Sequence, residues 1–324
     1  MSITYFYRNH KVGYSIKKVS DLFVNKFEDK TIVEVPSPFA SLLSILKNMY
    51  CAFENRNKKG INHITGDIHY CILPLMFCKT ILTIHDCTQY DHTKGLKKII
   101  IKYLWFVLPL KFATKVVCIS ESTRQAVRRF TKRDDILVIT NAVDPTYKYV
   151  PKTFDANNVN ILLIGTNWNK NIERTIQAVK DINCTLTIIG PLTNAQLEML
   201  QKTNVKYINK KDLTDEQIHQ EYVNCDIVSF CSLFEGFGMP IIEAQAVGRP
   251  VVTSNLAPMN EITGNGAMLV NPYDTNSVSN AIKKIISDER TRSSLIKHGM
   301  DNVEKFDLTS IVEQYKRLYK SLSC

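Results

Sequence analysis

Glu235-Gly236-Phe237-Gly238-Met239-Pro240-Ile241-Ile242-Glu243 is the stretch on which the reading of this chain turns. Two glycines let the backbone approach a ligand closely, and Pro240, with its fixed φ, suits the first position of a helix. The run therefore reads as a loop feeding a helix N-terminus. Such an end presents unpaired N–H groups and a partial positive charge, which favours the oxygens of a phosphate or carboxylate. Glu235 falls in the loop and Glu243 in the first helical turn, so two carboxylates stand beside an anion site rather than in it. Acceptor-only groups so placed suit a hydroxyl-rich ligand. The plainer alternative is one solvated loop acid and one acid complementing the helix dipole.

Outward from this run, short β-branched segments alternate with helical ones, the pattern of parallel sheets flanked by helices. The strand candidates are residues 3–7, 31–35, 62–65, 80–85, 115–120 and 136–140, then 160–165, 186–190, 205–208, 226–231, 250–254 and 267–271. Two doubly wound α/β domains follow, and 324 residues suffice for both to bury a core. The joint is expected at residues 141–155, where Pro145, Pro151 and polar residues interrupt the pattern. Residues 308–322 have the apolar spacing of a helix, through Ile311, Tyr315, Leu318, Tyr319 and Leu322.

The glutamate-bracketed run closely resembles the Glu-x7-Glu signature of the family 4 glycosyltransferases, retaining enzymes of the GT-B fold that move a sugar from a nucleotide diphosphate to an acceptor. The likeness continues through Gly248-Arg249-Pro250-Val251-Val252-Thr253-Ser254 and Ala267-Met268-Leu269-Val270-Asn271-Pro272-Tyr273-Asp274, and runs through most of residues 60–324. It implies two Rossmann-like domains facing each other across a cleft. Residues 1–150 would bind the acceptor and residues 151–307 the nucleotide sugar, with the helix of 308–324 packing back onto the first domain; a helix capping the second domain is the alternative. The resemblance assigns Glu243 to the ribose hydroxyls and Glu235 to a hydroxyl of the transferred sugar, while the helix start itself offers the amides of Gly236, Phe237, Gly238 and Met239 to the diphosphate. It also implies retention of anomeric configuration, with the leaving phosphate taking the acceptor proton on the same face.

Ligands of open α/β sheets bind beyond the carboxyl ends of the strands, which selects further residues. After the strand of 160–165 come Thr166-Asn167-Trp168-Asn169-Lys170-Asn171. Lys170 is well placed as a point charge on a diphosphate beside a helix N-terminus, although a solvated turn lysine has the same sequence. Many family members carry an arginine where Thr166 stands, so this chain would rely on Lys170 and backbone amides for the leaving group. His85-Asp86 ends the strand of 80–85 and resembles the family's His-Asp pair facing the transferred sugar; a capping histidine is the alternative. Asp67 and His69, in a second polar turn, are candidates to bind or deprotonate the acceptor hydroxyl, though a turn built on Gly66-Asp67 accounts for the same residues. Gly13, in Gly13-Tyr14-Ser15-Ile16 after the first strand, is expected to open the cleft loop and, with Thr166, to contact the donor. Asn141 resembles the family's interdomain asparagine with a structural role, and Ser120 or Ser122 reads as a helix N-cap.

Composition narrows the class. Apolar content of 44% and charged content of 22% belong to a soluble globular protein, without an apolar run of membrane-spanning length. The first residues lack the layout of a signal peptide, and a cytoplasmic enzyme is the reading. Nine scattered cysteines without a Cys-x-x-Cys pair read as buried reduced thiols. His63, His69, His85 and His92 lack the spacing of a structural zinc site, and no Asp-x-Asp triplet offers carboxylates to a divalent ion. Neither cofactor nor metal is expected.

Residues 1–150 hold 23 Lys and Arg against 12 Asp and Glu, a net charge of +11, whereas residues 151–324 are at −1. An anionic partner for the first half follows. No aromatic-interleaved basic tract or nucleic-acid motif is present, so the reading is the inner-leaflet membrane surface rather than nucleic acid. Residues 96–111, basic and then apolar, suit either an interfacial helix or a helix buried on the sheet. The partners read from the sequence are a nucleotide-diphosphate sugar and a lipid-linked or polysaccharide acceptor. Two other classes fit the same architecture: a nucleotide-sugar epimerase or phosphorylase, and an inactive nucleotide-sugar-binding protein.

Overall fold

In the computed structural model, which describes residues 2–12 and 14–322, every one of the twelve β-branched runs forms a strand. The first six are β1 (Ile3–Tyr7), β2 (Lys30–Glu34), β3 (Ile61–Ile64), β4 (Lys79–Ile84), β5 (Lys115–Cys118) and β6 (Ile136–Val138). They pair in the order β2-β1-β3-β4-β5-β6, parallel throughout. The second six are β7 (Val159–Ile164), β8 (Cys184–Ile189), β9 (Lys206–Lys210), β10 (Ile227–Phe230), β11 (Val251–Ser254) and β12 (Ala267–Val270). Their order is β12-β11-β10-β7-β8-β9, again all parallel. Strand order reverses between β1 and β3 in one sheet and between β7 and β10 in the other, so each sheet has one switch point.

The chain divides into one unit of residues up to Ala142 plus those from Leu308 onward, and a second of Val143–Asp307. In the first unit, one sheet face carries a core in which Ile64, Leu82 and Val116 meet Ile45, Ile72, Trp105 and Phe106. On the other face, Tyr5, Ile81 and Val117 meet Phe23 and the helix Leu308–Ser321. There Phe23 and Tyr315 stack at 4.2 Å, and the fully buried His63 joins Tyr319 through Nδ1 and Thr83 through Nε2, both at 2.8 Å. In the second unit, helices Asn194–Thr203 and Asp215–Asn224 each start on a threonine capping box, Thr193 with Gln196 and Thr214 with Gln217.

Residues 96–111 fold as three consecutive helical pieces, Gly95–Ile101, Lys102–Val107 and Leu108–Phe112. Their inner face buries Ile101, Trp105, Phe106 and Leu110 on the sheet, as the buried-helix alternative expects, while Leu96, Ile99, Ile100 and Tyr103 remain exposed. The eight described cysteines are all free, six of them buried. Ser120 is the N-cap of helix Glu121–Val127. Among the described residues no helix is long and apolar enough to cross a membrane.

Candidate active site

At the switch point of the second sheet, the turn after β7 meets the loop after β10. Gly165 makes the turn at φ +83°, where a Cβ would lie 2.9 Å from Cε of Lys170, so only glycine lets the lysine stem fold across it. Lys170 Nζ then reaches Glu235 Oε1 at 2.7 Å, and sits 4.6 Å from the centre of the Phe230 ring. The pair is largely enclosed, with side-chain exposures of 19% and 13%. Asn169 ties the two loops together: its backbone oxygen accepts from Leu233 N at 2.7 Å, and its Nδ2 donates to Phe234 O at 2.9 Å. Asn171, in the left-handed region at φ +57°, donates to the carbonyls of Cys231 and Pro272, both at 2.9 Å.

Helix Met239–Val247 begins where this loop ends. Its N-cap is Gly238 at φ +112°, which contributes no side-chain cap to the first-turn N–H groups. An anion is the natural partner of such an end. Pro240 takes the second helical position rather than the first, and Glu243, fifth in the helix, lies in its second turn rather than its first. The helix has to start one residue earlier because Gly238 already carries the left-handed turn. Glu243 Oε2 accepts from the hydroxyl of Tyr222 at 2.6 Å. Burial pushes that phenol well above its ordinary pKa, which keeps it a donor. Thr166 faces inward beneath the turn, its hydroxyl donating to Pro191 O at 2.6 Å, so Lys170 is the charged side chain this turn brings to the pair.

The first sheet repeats the device. At its switch point Arg8, after β1, lies 3.4 Å from Asp67, after β3. Both line a cavity of about 330 Å³ with His69, His85 and Asp86. His85 Nε2 is 2.8 Å from Thr65 O, and a carbonyl only accepts, so the proton is on Nε2 and Nδ1 is left as an acceptor. His69 is held the other way round, Nδ1–H donating to Trp105 O at 2.8 Å. Burial lowers both imidazoles, His69 to about 4, so both are neutral near pH 7. Burial raises the Asp67 carboxyl, opposed by Arg8 and helped by Asp86; about 30% of its side chain stays open, which limits the rise.

Of the residues singled out in the sequence, Lys170, Glu235 and Gly236 to Met239 come together at one switch point, with Glu243 a turn further into the helix, and Asp67, His69 and His85 at the other. Gly13 lies outside the described residues. Asn169, Asn171, Tyr222 and Arg8 act on these sites without having been marked by the sequence, because each works through a partner distant in the chain. Only the turn-forming Asn-Lys-Asn triplet carried a local signal. Among the described residues no group of three or more His, Cys, Asp or Glu could hold a metal ion.

Two all-parallel, doubly wound units, with a lysine and glutamate-flanked helix start in the second, are the architecture of the GT-B fold. The chain is a glycosyltransferase: residues 61–147 match the family model described as Glycosyltransferase Family 4, and residues 154–301 match the one described as Glycosyl transferases group 1. It is 26% identical to the O-antigen chain mannosyltransferase RfbU of Salmonella typhimurium, over 91% of this chain and 84% of that one. It is 24% identical to the N,N'-diacetylbacillosaminyl-diphospho-undecaprenol alpha-1,3-N-acetylgalactosaminyltransferase of Campylobacter jejuni, over 70% of this chain and 66% of that one. Among solved structures, Anabaena HepE in complex with UDP and glucose superposes with a TM-score of 0.80 at 17% identity, over 99% of this chain and 100% of that one, a likeness of fold.

Proposed function

We propose that this glycosyltransferase is a retaining, metal-independent enzyme. It moves a hexosyl group from a nucleotide-diphosphate sugar to a lipid-linked or polysaccharide acceptor, in assembly of an O-antigen or related bacterial surface glycan. The observation that carries the reading is the Lys170–Glu235 pair, at 2.7 Å, immediately ahead of the uncapped start of helix Met239–Val247. A cation and a carboxylate side by side match a ligand whose phosphate adjoins a polyol. The relatives' names supply the class of product, a mannosylated O-antigen chain and a sugar on diphospho-undecaprenol.

In this reading the second unit holds the donor. The bond between the anomeric carbon and the β-phosphate oxygen breaks, and negative charge grows on that oxygen. Lys170 and the amides of Gly236 to Met239 stabilise it electrostatically, without rearranging as the bond breaks. Glu243, aimed by Tyr222, accepts from the ribose hydroxyls and Glu235 from a sugar hydroxyl. The acceptor oxygen bonds the anomeric carbon on the face the phosphate leaves, and its proton passes to a phosphate oxygen. In the first unit His85 accepts at Nδ1 from a hydroxyl of the transferred sugar, while Asp67 and His69 bind the acceptor. The net charge of +11 on residues 1–150 supports action at the inner face of the cell membrane.

The test is thermal-shift screening of UDP, GDP, dTDP and their sugars, followed by a crystal soaked with the best of them. Density for the diphosphate against Gly238 and Met239 is expected; density remote from that helix start overturns the reading.

A further inference from the structure

The helix Leu42–Glu54 is apolar on two faces, one buried through Ile45 and Ala52 and one turned outward. It buries Asn48 completely and leaves Leu42, Leu43, Leu46 and Tyr50 with 70%, 72%, 52% and 66% of their surface open. Phe39 just before it and Phe53 at its end extend the stripe. The rotation of the helix is not free, because Asn48 accepts from Ser37 N at 2.9 Å and donates to Ser37 O at 3.1 Å and to the buried Tyr70 hydroxyl at 2.9 Å. Turning the leucines inward would expose these bonds and lose the packing of Ile45 and Ala52. The apolar stripe is therefore a fixed outward feature of the fold, larger than the single scattered side chains usual on a surface.

Its surroundings are cationic. Lys47 is exposed on the helix, Arg56 lies 3.5 Å from the centre of the Phe53 ring, and Lys58 and Lys59 follow, with Glu54 the one acid between residues 38 and 59. The same chemistry recurs on residues 94–103, where exposed Leu96, Ile99, Ile100 and Tyr103 are interleaved with Lys94, Lys97, Lys98 and Lys102. Both segments cover one face of the first sheet, since Ile45 and Ala52 share a core with Ile101 and Trp105.

From this we infer that helix Leu42–Glu54, seconded by residues 94–103, is the element that seats the enzyme in an anionic phospholipid surface. Its leucines and aromatics enter the headgroup boundary and its lysines contact lipid phosphates. Apolar side chains rimmed by cations are what an anionic interface recognises. A second copy of this chain on the same patch would bring cations against cations. The inference deepens the proposed function and rests on it for the acceptor's location at a membrane.

The test is flotation of the full chain with vesicles of phosphatidylcholine, with and without phosphatidylglycerol. The chain should float with the anionic vesicles alone, and Leu43→Ser/Leu46→Ser/Tyr50→Ser should lower the bound fraction by at least about tenfold at an unchanged melting temperature. Leu46→Trp, which keeps an apolar side chain there, should float like the wild type, with added indole emission that shifts blue and is quenched by brominated acyl chains. Absence of anionic-vesicle binding, unchanged binding by the triple variant, unquenched added emission in the Leu46→Trp variant, or a dimer that the triple variant dissociates without effect on flotation would each overturn the inference. Vesicle binding without sugar transfer sinks the proposed function alone. Transfer to a soluble acceptor without vesicle binding sinks this inference alone.

Discussion

The contact between Lys170 and Glu235 lends itself to a double-mutant cycle that separates a structural pair from a working one. At 2.7 Å, with an effective dielectric constant of about 20, the attraction is ~6 kcal/mol. Most of that is cancelled by the desolvation both groups have already undergone, so the informative quantity is the cost of leaving one charge alone. For a fully buried pair that cost is about 3–5 kcal/mol, and the residual exposure of these two side chains brings it to about 2–3 kcal/mol. Lys170→Met keeps the stem that packs over Gly165 and removes the charge; Glu235→Gln keeps the shape and removes the other. Asn169 Nδ2, 3.4 Å from Glu235 Oε1, softens the first change more than the second.

Each single variant should therefore melt roughly 5–10 °C below the wild type, given about 2–4 °C per kcal/mol for a unit of this size. The double variant should regain most of the loss, because no charge is left unpaired. Sugar release from the donor that gives the largest thermal shift should fall in all three variants and stay low in the double. Recovery of both stability and turnover in the double variant would show that the pair only holds two loops together. Full activity in either single variant would remove that residue from the donor site.

Three further outcomes are expected. Tyr222→Phe deletes the 2.6 Å bond to Glu243 while filling the same buried space, and should raise the donor KM about three- to tenfold with kcat nearly unchanged, measured by steady-state kinetics. Gly238→Ala forces a Cβ to within 3.1 Å of the Ile241 and Ile262 methyls at φ +112°, costing about 1–3 kcal/mol and weakening binding of the nucleotide diphosphate, as calorimetry would register. Burial holds His63 and His69 down to about 3 and about 4, so between about pH 6 and pH 4 the unfolded chain takes up protons that the folded one refuses. Stability is then full above the unfolded histidine pKa and falls as pH drops, by ~1.4 kcal/mol per histidine per pH unit, while the raised Asp67 offsets part of this by holding its proton in the folded state; urea midpoints across that range measure the slope, and a flat profile would contradict it.

What the sequence disclosed and what it withheld divide along a physical line. Strands buried on both faces announce themselves as runs such as Thr80-Ile81-Leu82-Thr83-Ile84 or Leu186-Thr187-Ile188-Ile189, because nothing polar is tolerated on either side of a covered parallel sheet unless it finds a partner there. The helix start at Gly238-Met239-Pro240 was equally legible, since its glycine and proline are chosen for backbone angles. Pairings were not: Lys170 and Glu235 are 65 positions apart, and only the strand order, which puts β7 beside β10, brings them together. Nothing local in Thr166 indicates that its hydroxyl turns inward to Pro191. Helix Leu42–Glu54 is the clearest case, because spacing offers two apolar faces, and the one that is buried is set by Ile45 and Ala52 together with the bonds of one buried asparagine. A departure of this kind, in which a helix keeps a second apolar face in the open, is expected where a surface is shaped for something other than the protein's own core.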